Sequence, residues 1–527
     1  MKKKKMMRIF NRTLNRVVLL SVVGVLLLAT TLSCDKALDK KPYVYFGDDF
    51  VENSEEGMKG LLNGIYAKMK HYEYYGRNLY AYEAAKGPDF FVRLNSGSRF
   101  ERECRYTESS IDGGYSTVTW LKIYETIRTA TILLENIDHI EGDAYTLRVI
   151  KGEALALRAL AYFDLMRLFA YPPLFSIEGN AKYQDKFKWG VPIIDDVETG
   201  TNPHKHIIRR ESAQTTYQYI EDGLTSAMAL LDGATRREGH IDYVAAAALL
   251  SRLYLYQGRW DDVIEVGEEA VLRAESKYFM ITHDNYATSY YKPFNSENIW
   301  EIAYGVTDNT GGNSLNSLVR KPTYNNPGTP EDGTISATNG YAAYGLSNSA
   351  INLLNSPAAD VRGYLICDLG VDGKDYYGLR KYVGEPYHFV HNIPVVRLPE
   401  LYLTLAEAYA ENEDWPNAEL FYNKVRVPRV GTGGFSESTK AGRITNILDE
   451  RRREFMLEGH NFWDYFRRGR VVNREAKENI YSTSITIVFG DKVQTVYPIP
   501  LVEMEANKDI RDQQNPGYSA FETPDDL

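Results

Sequence analysis

The sequence predicts a mainly α-helical protein, a scaffold of paired helices carrying long loops and small β elements. Three observations predict it. Apolar residues recur at helical spacing along nine segments, two of these stretches repeat one another, and the connections are long and rich in Gly, Asn, Ser, Thr and Tyr.

Taken in order, the chain opens with Lys2, Lys3, Lys4, Lys5, Arg8, Arg12 and Arg16 and no acidic residue, then an uncharged apolar run over 17–33. That run is at the short limit for a membrane span, and the order basic, apolar, small residue predicts a signal peptide over 1–33. Leu32, Ser33 and Cys34 follow the Leu, small residue, Cys order of a bacterial lipobox, which makes Cys34 the predicted lipidation site and first mature residue. Several acyl chains, each contributing roughly 0.8 kcal/mol per buried CH₂, would anchor the chain firmly. The mature chain, 34–527, keeps 54 Lys and Arg against 71 Asp and Glu, net −17, which argues against a nucleic-acid partner. Apart from Cys34 there are only Cys104 and Cys367, which can pair once or not at all.

Helical periodicity predicts helices over 58–72, 119–137, 147–169, 212–231, 243–256, 260–274, 398–412, 415–425 and 444–468. The stretches AALLSRLYLYQGRWDDVIEVGEEAVL at 247–272 and YLTLAEAYAENEDWPNAELFYNKVRV at 402–427 align at a constant offset, Tyr254 with Tyr409 and Trp260 with Trp415. Each reads as helix, short turn, aromatic, helix, the pattern of tetratricopeptide-like hairpins in which a small residue on one helix admits a bulky one on its neighbour. Trp120, Trp260, Trp415 and Trp463 lie at core spacings and are assigned to packing. In DERRREFMLEGHNFWDYFRRGR, 449–470, Glu450, Glu454 and Glu458 recur every four residues among arginines, which predicts i,i+4 pairing on a helix with Leu457, Phe462, Trp463 and Phe466 on its buried side, and Gly459 allows a close approach or a break. Tyr171 to Arg210 and 280–395 read as inserted loops, and ITIVF at 485–489 as a strand.

Catalytic signatures are absent. There is no phosphate-cradling Gly-rich loop, HExxH, paired CxxC or G-x-S-x-G, and the nine histidines form no metal spacing stronger than His204 and His206, which sit in a polar loop. No cofactor is implied, and no spacing assigns a structural Ca²⁺ to the Asp/Asn-rich loops.

The segments WLKIYETIRTA at 120–130, GEALALRALAYFDLMRLFAYPPL at 152–174, RLPELYLTLAEAYA at 397–410, ILDERRREFMLEGHNFWDYFRRG at 447–469, YPIP at 497–500 and NPGY at 515–518 carry, in this order, a family pattern. With the lipobox they resemble the SusD/RagB family of outer-membrane nutrient-uptake lipoproteins over nearly the whole mature chain. The resemblance implies one SusD-like unit over 34–527, with an N-terminal region 34–240 and a C-terminal region 241–527. It implies a non-enzymatic lipoprotein that is anchored in the outer membrane and faces the exterior. Such a protein binds an oligosaccharide and delivers it to a SusC-like TonB-dependent porin. The alternatives are a RagB-like peptide ligand, or a hydrolase acting on the glycan itself. One departure stands at NKVRVPRVG, 423–431, where the family carries an Arg-Ala-Gly-like sequence after NKVR.

The family motifs build the scaffold, so the ligand site is sought where sugar chemistry requires it. Sugars present apolar C–H faces and rings of hydroxyls, which call for flat aromatics beside amide, carboxylate and guanidinium groups. Three loop clusters qualify. The first offers Tyr74, Tyr75, Phe90, Phe91 and Arg93; the second Tyr290, Tyr291 and Phe294; the third Tyr324, Asn325, Asn326, Tyr341 and Tyr344.

Overall fold

A computed structural model describes residues 53–518, apart from 94–95, 98, 112–113, 202–204, 309, 320–339, 370–375, 384–389 and 477–483. Cys34 and the signal peptide lie outside the described residues, as do Tyr324, Asn325 and Asn326. Among the described residues no helix is long and apolar enough to cross a membrane.

The scaffold is built from α1 (Glu55–Met69), α2 (Asn78–Lys86), α3 (Glu101–Arg105), α4 (Tyr115–Asn136), α5 (Ala144–Phe169), α6 (Ala213–Leu231), α7 (Tyr243–Gln257), α8 (Trp260–Ala274), α9 (Leu398–Glu411), α10 (Trp415–Val430), α11 (Lys440–Glu454), α12 (Asn461–Arg467) and α13 (Leu501–Ala506). Side-chain caps start several of them: Asp143, Ser212 and Asp242 accept from the N–H groups of Thr146, Thr215 and Ala245 at 2.8, 3.0 and 3.0 Å, each contributing about 1 kcal/mol. Gly258, at φ +69°, closes α7 in the left-handed region that favours glycine.

The long helices pack in chain order, α1 on α4, α4 on α5, α5 on α6, α6 on α7, α7 on α8, α8 on α9, and α9 on α10 and α11. The two similar hairpins, α7–α8 and α9–α10, are separated in sequence by the long insertion, yet α8 lies directly on α9. The contact works through size. A Cβ at Gly267 on α8 would come within 2.9 Å of the Leu405 side chain on α9, and one at Gly152 on α5 within 2.9 Å of Leu231 on α6. Trp120 and Trp463 are buried, and Trp260 and Trp415 are partly buried against the same core.

Among the described residues, four two-stranded antiparallel sheets stitch the loops to this stack. They pair β1 (Phe90–Val92) with β3 (Tyr344–Leu346), β2 (Asn298–Ile302) with β6 (Ile393–Arg397), β4 (Ile366–Asp368) with β5 (Tyr377–Leu379), and β7 (Val472–Arg474) with β8 (Ile485–Ile487). Cys104 and Cys367 are not bonded to each other.

Two expectations for 444–468 need correction. The segment is two helices, α11 and α12, because the chain turns at Leu457 (φ +62°) and Gly459 (φ +78°). The Glu83 carboxyl receives the N–H groups of Gly459 and Asn461 at 3.0 and 3.1 Å, and the Tyr80 ring fills the space a Cβ on Gly459 would occupy. The carboxylates of Glu450, Glu454 and Glu458 also do not form the expected i,i+4 pairs; on its own helix Glu450 meets Arg453 at i,i+3 and 3.4 Å. All three are buried, and side chains from distant segments reach them: Glu450 meets Arg362 and Arg426, Glu454 meets Arg362, Arg397 and Arg429, and Glu458 meets Arg397 and Lys381. The departure at 423–431 is resolved in the same network. The helix α10 runs through Pro428 and ends at Gly431 (φ +81°), which places the Arg429 guanidinium in the interior.

Burial pushes the Glu83 carboxyl up from 4.5 to about 8, against the two N–H groups that favour its charge. The folded state therefore holds a proton there that the unfolded chain has lost between pH 4.5 and 8. This group's contribution is fullest below pH 4.5 and falls as pH rises to 8, by at most about 1.4 kcal/mol per unit. In urea melts at pH 5, 6.5 and 8, Glu83→Gln should flatten the alkaline loss of stability; equal slopes for variant and wild type would show that Glu83 does not titrate in this window.

Candidate functional site

The first and third clusters meet, while the second stands apart. Strands β1 and β3 pair Phe90 with Leu346, Phe91 with Gly345 and Val92 with Tyr344. Gly345 is required there, since a Cβ would sit 2.4 Å from the Phe91 ring. Beyond the strand end, Arg93 clamps the two segments, its Nε donating to the Ala342 carbonyl at 2.6 Å and an Nη to that of Tyr341 at 3.3 Å.

Most aromatics expected to face a ligand belong to the interior. Tyr74, Tyr75, Phe90, Phe91, Arg93 and Tyr344 are all buried. The Tyr74 hydroxyl donates to Asp164 on α5 at 2.6 Å, Tyr75 packs between Tyr74 and Tyr80, and the Tyr344 hydroxyl donates to the Ala81 carbonyl at 3.0 Å. These residues are correctly placed as aromatic clusters and wrongly as ligand-facing ones, because α2, α5 and the partner strand cover them.

In the second cluster, Tyr290 is half-buried, lies parallel to Tyr286 at 5.1 Å and donates to the Arg380 carbonyl at 2.6 Å, with Tyr291 edge-on at 5.6 Å. Phe294, at φ +52°, donates its N–H to Glu301. Tyr290 and Tyr291 line a hollow with Lys381, His391, Arg397 and Glu458, but its free space is about 40 Å³, room for water rather than a sugar ring.

Tyr341 is different, with 38% of its surface exposed. The Arg99 guanidinium lies 3.7 Å from its ring centroid, and Gly312 packs beneath it. The adjoining Asn313 accepts from Arg77 Nη1 at 2.9 Å. Arg77 in turn lies 4.9 Å from the Tyr72 ring, 5.5 Å from Tyr115 and 5.7 Å from Phe100. Phe100 and Tyr115 stack at 3.7 Å and 7°. Burial lowers the Arg77 pKa and raises that of the Tyr115 phenol. The result is a surface of flat rings, Tyr72, Tyr115 and Tyr341, with the partly exposed Arg99 guanidinium and the Asn313 amide, braced by the buried Arg77. Flat apolar faces next to fixed donors suit the C–H faces and hydroxyls of a sugar.

Sequence reading named Tyr341 but passed over Tyr72, Arg77, Arg99, Tyr115 and Asn313. Tyr72 and Arg77 flank the very pair it chose, and an arginine near an aromatic was the available signal. Among the described residues no group of three or more His, Cys, Asp or Glu is arranged to hold a metal.

Comparison with known proteins places this scaffold. Residues 374–518 match the SusD family profile, and residues 36–255 match a profile described as starch-binding associating with outer membrane. SusD-like protein P25 of Formosa agariphila is 21% identical over 560 residues, covering 94% of this chain and 99% of that one. A SusD superfamily protein from Bacteroides vulgatus superposes with a TM-score of 0.76 at 26% identity, covering 89% of this chain and 100% of that one. A laminarin binding SusD-like protein superposes at 0.67 and 24% identity, covering 88% and 100%. Two profiles that span both ends of the helical stack, together with superpositions over almost the full length, establish that the chain belongs to the SusD superfamily.

Proposed function

We propose that the protein is a non-enzymatic, cell-surface glycan-binding lipoprotein. It is lipidated at Cys34, held on the outer membrane facing outward, and delivers oligosaccharides to a SusC-like TonB-dependent transporter. The observation that carries the binding step is the Tyr72–Arg99–Tyr115–Tyr341 surface, whose exposed ring and partly exposed cation are braced by the buried Arg77. The starch-binding, outer-membrane description of the profile matched by 36–255 supports the substrate class and the location. Affinity comes from pre-placed groups, with no chemical step.

The test is calorimetry with panels of oligosaccharides and peptides on the mature protein, with product analysis after prolonged incubation. Oligosaccharide binding without turnover is the expected result. Tyr341→Ala and Arg99→Ala should each weaken it by about 1–2 kcal/mol, roughly 5- to 30-fold, with unchanged melting temperature. Binding confined to peptides would move the ligand to the RagB-like alternative, and release of shortened saccharides would identify a hydrolase.

A further inference from the structure

Next to the aromatic surface lies a cavity of about 500 Å³, lined by α3, the 107–109 turn, the start of α4 and Tyr497. Its volume falls within the ~300–1,000 Å³ of small-molecule sites. Tyr115 belongs to both places: it stacks on Phe100 in the aromatic surface and also lines the cavity, so the two spaces share a wall.

The cavity is polar in a particular way. Glu103 and Glu108 line it and are both buried. Glu103 accepts from the Tyr497 hydroxyl at 3.1 Å. One Glu108 oxygen meets the buried Lys86 ammonium, while Oε2 receives no hydrogen bond from another residue. A buried acceptor left unpaired is costly, and a ligand donor that completes it is correspondingly favoured. The hydroxyl-bearing Thr107, Ser109 and Ser116 also line the space. Hydroxyl groups that both donate and accept, next to a carboxyl oxygen that takes no donor from another residue, describe the complement of a polyhydroxylated ring.

We propose that this cavity is a second saccharide subsite, in which Glu108 accepts hydrogen bonds from the hydroxyls of a unit further along the same chain that stacks on the Tyr72–Tyr341 surface. The proposal rests on the glycan-binding reading and adds a property to it: the protein selects for chain length, because only an oligomer spans both places.

The experiment is calorimetry of the mature protein with laminari- and malto-oligosaccharides of two to eight units. Glu108→Gln removes the carboxylate. Thr107→Trp fills the cavity from an exposed position on its rim, away from the Lys86 contact, and decides the matter if Glu108→Gln fails to fold. For whichever series binds, wild-type affinity should rise about tenfold or more from the shortest to the longest member. Thr107→Trp should abolish that rise, Glu108→Gln should reduce it, and Tyr341→Ala should weaken every length. A wild-type affinity independent of length, or a rise that survives both cavity variants, overturns the subsite and leaves the aromatic surface standing. No binding by any oligosaccharide overturns the glycan reading and the subsite together.

Discussion

Glu454→Ala should cost about 3–5 kcal/mol of folding stability, the usual result of removing one partner from a buried ionic cluster. The Glu454 carboxylate is almost fully buried, with Oε1 receiving Arg397 and Arg429 at 2.9 and 3.0 Å and Oε2 receiving Arg429 and Arg362 at 3.0 and 3.2 Å. Glu297, Glu450, Glu458 and Asp360 share these guanidiniums, but none replaces Glu454 at the centre. Burial alone would raise its pKa; Arg429 and Arg397 hold it well below the ordinary value. Its contribution is therefore complete above pH 4.5, the unfolded-state value, and is lost as pH falls below it. Urea melts at pH 7 should show the full loss in the variant, and the gap from wild type should narrow on acidification. A loss under about 1 kcal/mol at pH 7 would mean the remaining carboxylates can absorb the three cations.

Gly459→Val should destabilise by about 2–5 kcal/mol, for two separate reasons. At φ +78° the backbone is in the left-handed region, which is worst for a β-branched residue, and the new Cβ would lie 2.7 Å from the Tyr80 ring. Tyr80 cannot simply move, because its hydroxyl donates to the Pro394 carbonyl at 2.6 Å. The Gly459 carbonyl also accepts from Arg167 at 3.0 Å, so displacement of the turn would spread to α5. Equilibrium unfolding measures the total. Adding Tyr80→Ala to Gly459→Val separates the causes, since it relieves the clash and leaves the φ penalty. If Gly459→Val melts like wild type, the turn between α11 and α12 is not the constrained joint described here.

Much of the scaffold was legible locally. Residues 243–256 and 260–274 show one apolar stripe each, separated by Gly258 and Trp260, and they fold as α7 and α8 with nearly those bounds. The resemblance of 247–272 to 402–427 was legible too, along with a general small-for-large logic, which the structure places at Gly267 and Leu405. The break inside 444–468 was legible only as an option at Gly459, because the residues that enforce it, Tyr80 and Glu83, are more than 370 positions away. The chain also holds 40 tyrosines, whose separate roles its sequence does not distinguish. Many in fact tie distant loops to the interior by donating to backbone carbonyls: Tyr82 to Thr495, Tyr106 to Lys86 and Tyr382 to Leu457, at 2.8, 2.5 and 2.7 Å.

By itself, then, the sequence determined the helical periodicity, the paired-hairpin scaffold and the motif pattern that leads to the SusD superfamily. Each of these depends on residues within a few turns of one another, or on an ordered string of them. Only the tertiary structure decided which aromatics face outward. Tyr74 and Tyr75 look like better ligand contacts than Tyr72 in HYEYYGR, yet α5 covers the first two and leaves the third beside Arg77. Exposure is set by what distant segments lay over a side chain, and no local pattern of residues records that.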